Sequence, residues 1–173
     1  AIELGATSVR FPWRDLLNPF LRTRLEMLKS EGIDLTATFL EPRIGALPEL
    51  IQSHTDLIQT WEIQLPGITI PSPEVCNTLK QCGNDAELAL CPIISNESVP
   101  GKQHLRTRIG YKAEELAQLN TTLQAQDIQL RRVLCRVPPN ESPWDTVQSL
   151  QTHTHISHID LSVELYTQNN VEN

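Results

Sequence analysis

The chain has 173 residues, which is enough for one domain with its own hydrophobic core. Its formal net charge of −7 argues against general nucleic-acid binding, which requires a basic face. No segment approaches the roughly 18 consecutive apolar residues of a membrane span, so we expect neither nucleic acid nor a membrane as a partner.

The strands are predicted from a repeated pattern, a short apolar run that ends in a proline. Proline has no N–H to donate to a sheet and pushes the residue before it into an extended conformation, so each run is expected to be a strand that stops there. The five prolines are Pro12, Pro42, Pro66, Pro92 and Pro138. The five strands are expected at about 7–11, 34–41, 60–65, 87–91 and 131–137, and a sixth, without a proline, at 159–165.

A helix is predicted after each of the first five strands, and four of these helices are expected to open on a proline. Proline suits the first helical position because the N–H at that position has no partner. The four prolines are Pro19, Pro48, Pro73 and Pro143. Leucines at helical spacing predict the buried faces of the first and fourth helices. They are Leu17, Leu21, Leu25 and Leu28 in the first, and Leu116, Leu119 and Leu123 in the fourth.

Side chains of a strand alternate between two faces, and this assigns each strand residue to a face. The residues one and three places before each proline are mostly apolar, so we expect that face to meet the helices. On the fourth strand this rule places Ala89 and Cys91 against the helices. The opposite face is predicted to be largely polar. It carries Ser8, Arg10, Thr36, Thr38, Glu62, Gln64, Leu88, Leu90, Leu134, Arg136, Asp160, Ser162 and Glu164.

A polar face on parallel strands suits the lumen of a (β/α) barrel, whereas an open sheet covered on both sides has nearly continuous apolar strands. The sequence therefore predicts an α/β fold, a partial or incomplete (β/α) barrel with about six parallel strands. A doubly wound open parallel sheet is the alternative. In architecture alone, and without a family-specific motif, the chain resembles the TIM-barrel superfamily. That resemblance implies an isomerase, lyase, aldolase or hydrolase and does not choose among them.

We expect residues 1–166 to form a single domain, either complete or a fragment of a longer protein, followed by a polar tail at 167–173. Six strands are fewer than the usual eight of this architecture. A second copy of the chain, or a missing domain, is therefore expected to complete the barrel.

In a (β/α) barrel, function lies at the carboxyl ends of the strands and in the loops that follow them. Those positions are unusually basic here, and a group of arginines predicts recognition of a small anionic molecule. The predicted substrate-binding residues are Arg10, Arg14, Arg43, Arg106, Arg108 and Arg136. The predicted catalytic acids and bases are Glu62, Glu164 and Glu41.

A structural alternative exists for the same residues. Arg10 and Arg136 would then form ion pairs with Glu62 and Glu164 inside the barrel, and the loop arginines would be solvated. The long connection at 93–110 is interpreted either as a mobile lid over the ligand or as an insertion without a role.

The four cysteines have no zinc-site spacing and are expected to be buried thiols of a cytoplasmic protein. They are Cys76, Cys82, Cys91 and Cys135. The segment from His153 to Asp160 is rich in histidine, but it precedes a strand and so lies at the stability end of a barrel, and we expect no metal there. No nucleotide-binding loop is present, and the sequence names no cofactor.

Two functions remain open from the sequence. The first is a barrel-type enzyme domain, of the isomerase, lyase or hydrolase class, that acts on a small phosphorylated or carboxylated metabolite. The second is a non-catalytic accessory domain of a larger protein, such as a hydrolase.

Overall fold

The computed structural model describes residues 5–82, 85–98, 105–137, 142, 144–145, 148 and 155–163. The strands are β1 (Ser8–Pro12), β2 (Asp34–Leu40), β3 (Thr60–Pro66), β4 (Glu87–Glu97), β5 (Arg106–Ile109), β6 (Leu130–Val137) and β7 (Ile156–Val163). The helices are α1 (Pro19–Ser30), α2 (Leu47–Ser53), α3 (Pro73–Cys82) and α4 (Ala113–Ala125), with 3-10 turns at Trp13–Leu17 and Glu41–Ala46. The predicted end of the domain at residue 166, and the tail after it, lie outside the described residues.

The strands form one mostly parallel sheet in the order β1-β2-β3-β4-β6-β7, and β5 adds to β4 in the antiparallel sense. This confirms the predicted α/β class and parallel sheet. The order follows the chain without a reversal, which favours the winding of a barrel over that of a doubly wound sheet. Across the described residues β1 and β7 end the order, and the sheet is not closed.

The helix starts follow from local chemistry. The side chain of Asn18 accepts hydrogen bonds from the backbone N–H groups of Phe20 and Leu21, at 3.0 and 3.4 Å, and Pro19 opens α1. Ser72 caps α3 in the same way by accepting from the N–H of Val75 at 3.3 Å. The described part of the chain contains no helix with the length and apolar character needed to cross a membrane.

The hydrophobic core lies between the helices and one face of the sheet. Leu116, Leu119 and Leu123 of α4 are fully buried there, as predicted. In α1 only Leu25 is fully buried. Leu17 was expected to join it but is 64% exposed, because it ends the 3-10 turn before α1 and does not lie on the helix face that meets the core.

The prediction for β4 was wrong in two respects. The strand does not stop at Pro92 but continues to Glu97. Pro92 is tolerated because it lies where the neighbour of β4 changes, from β6 beside Ala89 and Leu90 to β5 beside Ile93. A proline there costs little, since no ladder N–H is needed at the change of partner.

The two faces of β4 are also the reverse of the prediction. The register pairs Ala89 with Glu62 and Cys91 with Gln64, so Ala89 and Cys91 share the face of Glu62. Leu88 and Leu90 belong to the core on the helix side. All four residues are apolar, so the sequence does not show which of them face the core. Alternation assigns a strand residue to a face only where polar and apolar residues take turns along the strand.

The connection interpreted either as a lid or as an insertion without a role is in its described part a β-hairpin. Ile93 pairs with Ile109 and Ile94 with Arg108, in antiparallel register. The hairpin returns through Gly110, whose N–H donates to the carbonyl of Pro92 at 2.9 Å. Tyr111 then pairs with Cys135 of β6. This segment therefore lies between the carboxyl-terminal parts of β4 and β6. Residues 99–104 of the connection lie outside the described residues.

Candidate functional site

The face of the sheet opposite the core, here called the polar face, is defined by its register. Arg10 pairs with Thr36, which pairs with Thr60, and Glu62 pairs with Ala89, which pairs with Arg132. A pocket of about 360 Å³ lies on this face. Its lining is Ser8, Val9, Arg10, Thr36, Thr60, Glu62, Ala89, Arg132, Val133 and Leu134. A volume of this size matches the lower range of small-molecule sites.

An ion pair between Arg10 and Glu62 lies in this pocket. Arg10 Nη2 is 2.9 Å from Glu62 Oε2, and the two side chains are 45% and 3% exposed. The side chain of Gln64 donates from Nε2 to the other carboxylate oxygen of Glu62 at 3.4 Å. The sequence prediction of Glu62 and Arg10 on one face is therefore matched by a direct contact, and the contact is also the one that the structural alternative foresaw.

Cys91 lies on the same face and is fully buried. Burial raises the pKa of its thiol to about 12, and the negative charge of Glu62 adds to the rise, while Arg10 lowers it. At neutral pH the thiol is therefore protonated and poorly nucleophilic. All four cysteines are buried, as expected.

Arg136 is 7% exposed and lies on β6, four residues after Arg132 and thus on the polar face by strand alternation. It is not part of the pocket lining. Its predicted partner Glu164 lies outside the described residues. Its predicted role in substrate binding stays a prediction.

Arg108 has contacts typical of a structural residue. Its guanidinium forms a bidentate pair with Glu115, with Nη1–Oε2 at 2.8 Å and Nη2–Oε1 at 2.7 Å, and also donates to the carbonyl of Gly110. Glu115 in turn accepts from the N–H of Lys112 at 2.8 Å, which caps α4. These contacts join the end of β5 to the start of α4, and neither Arg108 nor Glu115 lines the pocket.

Two further predicted residues, Arg14 and Arg43, do not line the pocket. Arg14 and Arg43 are exposed in the 3-10 turns that follow β1 and β2. The side chains of Glu41 and Arg106 are outside the described part of the structure. The pocket thus brings together two of the predicted residues, Arg10 and Glu62.

Among the polar and charged residues that line the pocket, two had not been assigned to this face from the sequence, Arg132 and Thr60. The signal for Arg132 was present, since it lies two residues before Leu134, which was assigned to this face. The same signal was present for Thr60, which lies two residues before Glu62 on the strand predicted at 60–65. Thr60 is 4% exposed and its hydroxyl donates to Glu87 Oε2 at 3.2 Å.

A second pocket of about 370 Å³ lies at the amino ends of β4 and β6. Arg131 and Glu87 form an ion pair beside it, Nε–Oε1 3.1 Å. In the described residues no three His, Cys, Asp or Glu side chains converge as metal ligands would. His155 instead has Nδ1 within 3.2 Å of the Gln129 amide and 3.3 Å of the Ile128 carbonyl.

Comparison with protein-family models, curated proteins and solved structures found no match to this chain. The functional argument therefore depends on the pocket alone.

Proposed function

We propose that the chain is a barrel-type enzyme domain that binds a small anionic metabolite on its polar face. The observation that supports this most is the content of the pocket, whose lining contains Arg10, Arg132 and the buried carboxylate of Glu62. Basic groups inside a pocket of an acidic protein concentrate a positive potential at one place. The hydroxyls of Ser8, Thr36 and Thr60 line the same pocket and suit a ligand that also carries polar groups.

The barrel part of the proposal rests on the strand order. Parallel strands that follow the chain order, joined by crossovers of one hand, place their helices on one side and leave the other side as an interior. The polar face is that other side. A second copy of the chain, or a further domain, then closes the gap between β1 and β7.

Arg10 and Glu62 take different roles in this proposal. Arg10 is 45% exposed and uses one nitrogen in its closest contact with Glu62, so other N–H groups of the guanidinium face the ligand and bind its carboxylate or phosphate. Glu62 moves the proton. A carboxylate beside a guanidinium favours its ionised form, which is the form that accepts a proton from a bound ligand.

Titration calorimetry with inorganic phosphate and with small carboxylates tests the proposal. Arg10→Met should weaken binding at least tenfold, about 1.4 kcal/mol. Arg22→Met is the matched control, because Arg22 forms an exposed pair with Glu26 on α1. Glu62→Gln should bind the anion at least as tightly as the wild type, since it removes a like charge. Binding that is unchanged by Arg10→Met would reject the proposal.

A non-catalytic accessory domain is the second candidate, and an exposed apolar stripe favours it. Leu17, Phe20 and Met27 are each 64% exposed, and Phe20 and Met27 lie seven residues apart on α1, which places them on one face of the helix. Such a stripe is typical of a surface that docks onto another protein. Sedimentation of the isolated chain tests this candidate: self-association that Phe20→Ser and Met27→Ser abolish would support it, and a stable monomer would count against it.

A further inference from the structure

We propose that the ligand of the polar-face pocket carries two anionic groups, one bound by Arg10 and the other by Arg132. This inference rests on the proposed function, since it concerns the same pocket. It adds a residue that the sequence analysis did not select and a class of ligand: a dicarboxylate, a bisphosphate, or a molecule with one group of each kind.

The two arginines stand on opposite sides of the pocket. Arg10 lies on β1 and Arg132 on β6, four strand steps apart in the sheet order. Neighbouring strands are about 4.8 Å apart, so the two backbones are separated by roughly 19 Å along the sheet at most, and less across a curved face. Two long side chains that line one pocket from these positions can both reach a ligand that lies between them.

Glu62 lies on β3, two steps from each arginine, and this fixes the charge pattern of the pocket. Among the residues that line the pocket, the charges run positive, negative, positive from β1 to β6. A ligand with one anionic group satisfies only one end of this pattern. A ligand with two anionic groups and a neutral middle places each charge at a guanidinium and keeps both away from the Glu62 carboxylate, so the arrangement discriminates by charge number as well as by sign.

The neighbour of Arg132 provides an internal comparison. Arg131 is exposed on the next position of β6, lines the second pocket and not this one, and pairs with Glu87. The two residues differ by one position and carry the same charge. If net charge alone controlled ligand affinity, removal of either arginine would weaken binding equally. If Arg132 contacts the ligand, only its removal would weaken binding.

The experiment is a calorimetric titration of the whole chain with linear dicarboxylates from succinate to suberate, and with monocarboxylates of equal chain length. The wild type should bind one dicarboxylate length at least tenfold more tightly than the matched monocarboxylate, with weaker binding at shorter and longer lengths, because the sheet holds both arginines in place. Arg132→Met should remove this preference, so that a dicarboxylate and the monocarboxylate of equal chain length bind this variant with similar affinity. Arg131→Met should retain it. The same comparison between pyrophosphate and phosphate distinguishes a phosphate ligand from a carboxylate ligand.

The outcomes separate the two proposals. If mono- and dicarboxylates, and phosphate and pyrophosphate, bind the wild type equally well, the two-anion inference is overturned and anion binding stands. If none of these anions binds, anion binding itself is overturned and the inference falls with it. If circular dichroism shows that Arg132→Met does not fold, Arg132→Lys replaces it: the preference should then fall but not vanish, and a full preference would overturn the inference.

Discussion

Arg10 and Glu62 lie two strands apart in the sheet, yet their side chains meet across the polar face at 2.9 Å. The contact is asymmetric, because the Glu62 side chain is 3% exposed and the Arg10 side chain is 45% exposed. The buried carboxylate of Glu62 depends on the guanidinium of Arg10 for its charge to be tolerated inside the protein, whereas Arg10 is partly hydrated. We therefore expect this pair to affect both the stability of the sheet and the proposed binding of anions.

This asymmetry predicts unequal costs for removing either partner. Arg10→Met takes the guanidinium from a buried carboxylate and should lower the free energy of unfolding by about 2 kcal/mol. Glu62→Gln leaves an arginine that water can solvate and should cost about 1 kcal/mol or less. Urea denaturation of both variants and of the double variant measures this. A double variant as unstable as the sum of the single variants would show that the pair is not coupled.

The element types were predictable from the sequence because proline and helix-cap chemistry are local. Pro19 and Ser72 act where their residue types predict. The hairpin after β4 was not predictable, since nothing local to Pro92 reveals that the neighbouring strand changes there. Within the site, strand alternation was enough to predict that Arg10 and Glu62 lie on the same face of the sheet. Which strands lie close enough to share one pocket depends on sheet order, and that is a property of long-range contacts.

Gly110 is predicted to be required for the hairpin between β4 and β6. Its φ is +96°, and a Cβ there would lie 3.0 Å from the carbonyl oxygen of Leu134 and 3.2 Å from its Cγ. Gly110→Ala should therefore destabilise the protein by about 2 kcal/mol, from the strained φ and the close approach together.

Gly45→Ala is the control, because no atom lies within 4 Å of a Cβ at that position and its φ is not positive. Its unfolding free energy should stay within about 0.5 kcal/mol of the wild type. Thermal denaturation of both variants gives the comparison. Equal melting temperatures for the two would contradict the proposed crowding at Leu134.

The Arg108–Glu115 pair is predicted to stabilise the fold and to leave anion binding untouched. Arg108 is 4% exposed in its side chain, and Glu115 also caps α4. Glu115→Gln should cost about 3 kcal/mol, whereas Glu26→Gln, in an exposed pair on α1, should cost about 0.5 kcal/mol or less. Denaturation measures both. Weaker anion binding in a folded Arg108→Met variant would instead show that Arg108 takes part in anion binding.

We predict that the buried Cys91 thiol lowers the free energy of unfolding at alkaline pH. In the unfolded chain the thiol ionises near its ordinary pKa of 9.0, whereas burial raises the pKa in the folded protein to about 12. Below pH 9 its contribution to stability is complete. Above pH 9 the unfolded state releases a proton that the folded state retains, so the free energy of unfolding falls until about pH 12, by up to roughly 1.4 kcal/mol per pH unit.

Cys91→Ala should make that alkaline decline shallower, whatever the variant does to stability at neutral pH. Urea denaturation at several pH values between 8 and 11 measures the two slopes. Identical slopes would show that Cys91 is not the group responsible.

The most direct test of the ligand pocket is a map of amide chemical shifts during titration of the isotope-labelled chain with inorganic phosphate. Saturable shifts should gather on the polar face at Arg10, Thr36, Glu62, Ala89 and Arg132, and Arg10→Met should require at least tenfold more phosphate to produce them. Shifts confined to other surfaces, or none that saturate, would contradict the pocket as the site of anion binding.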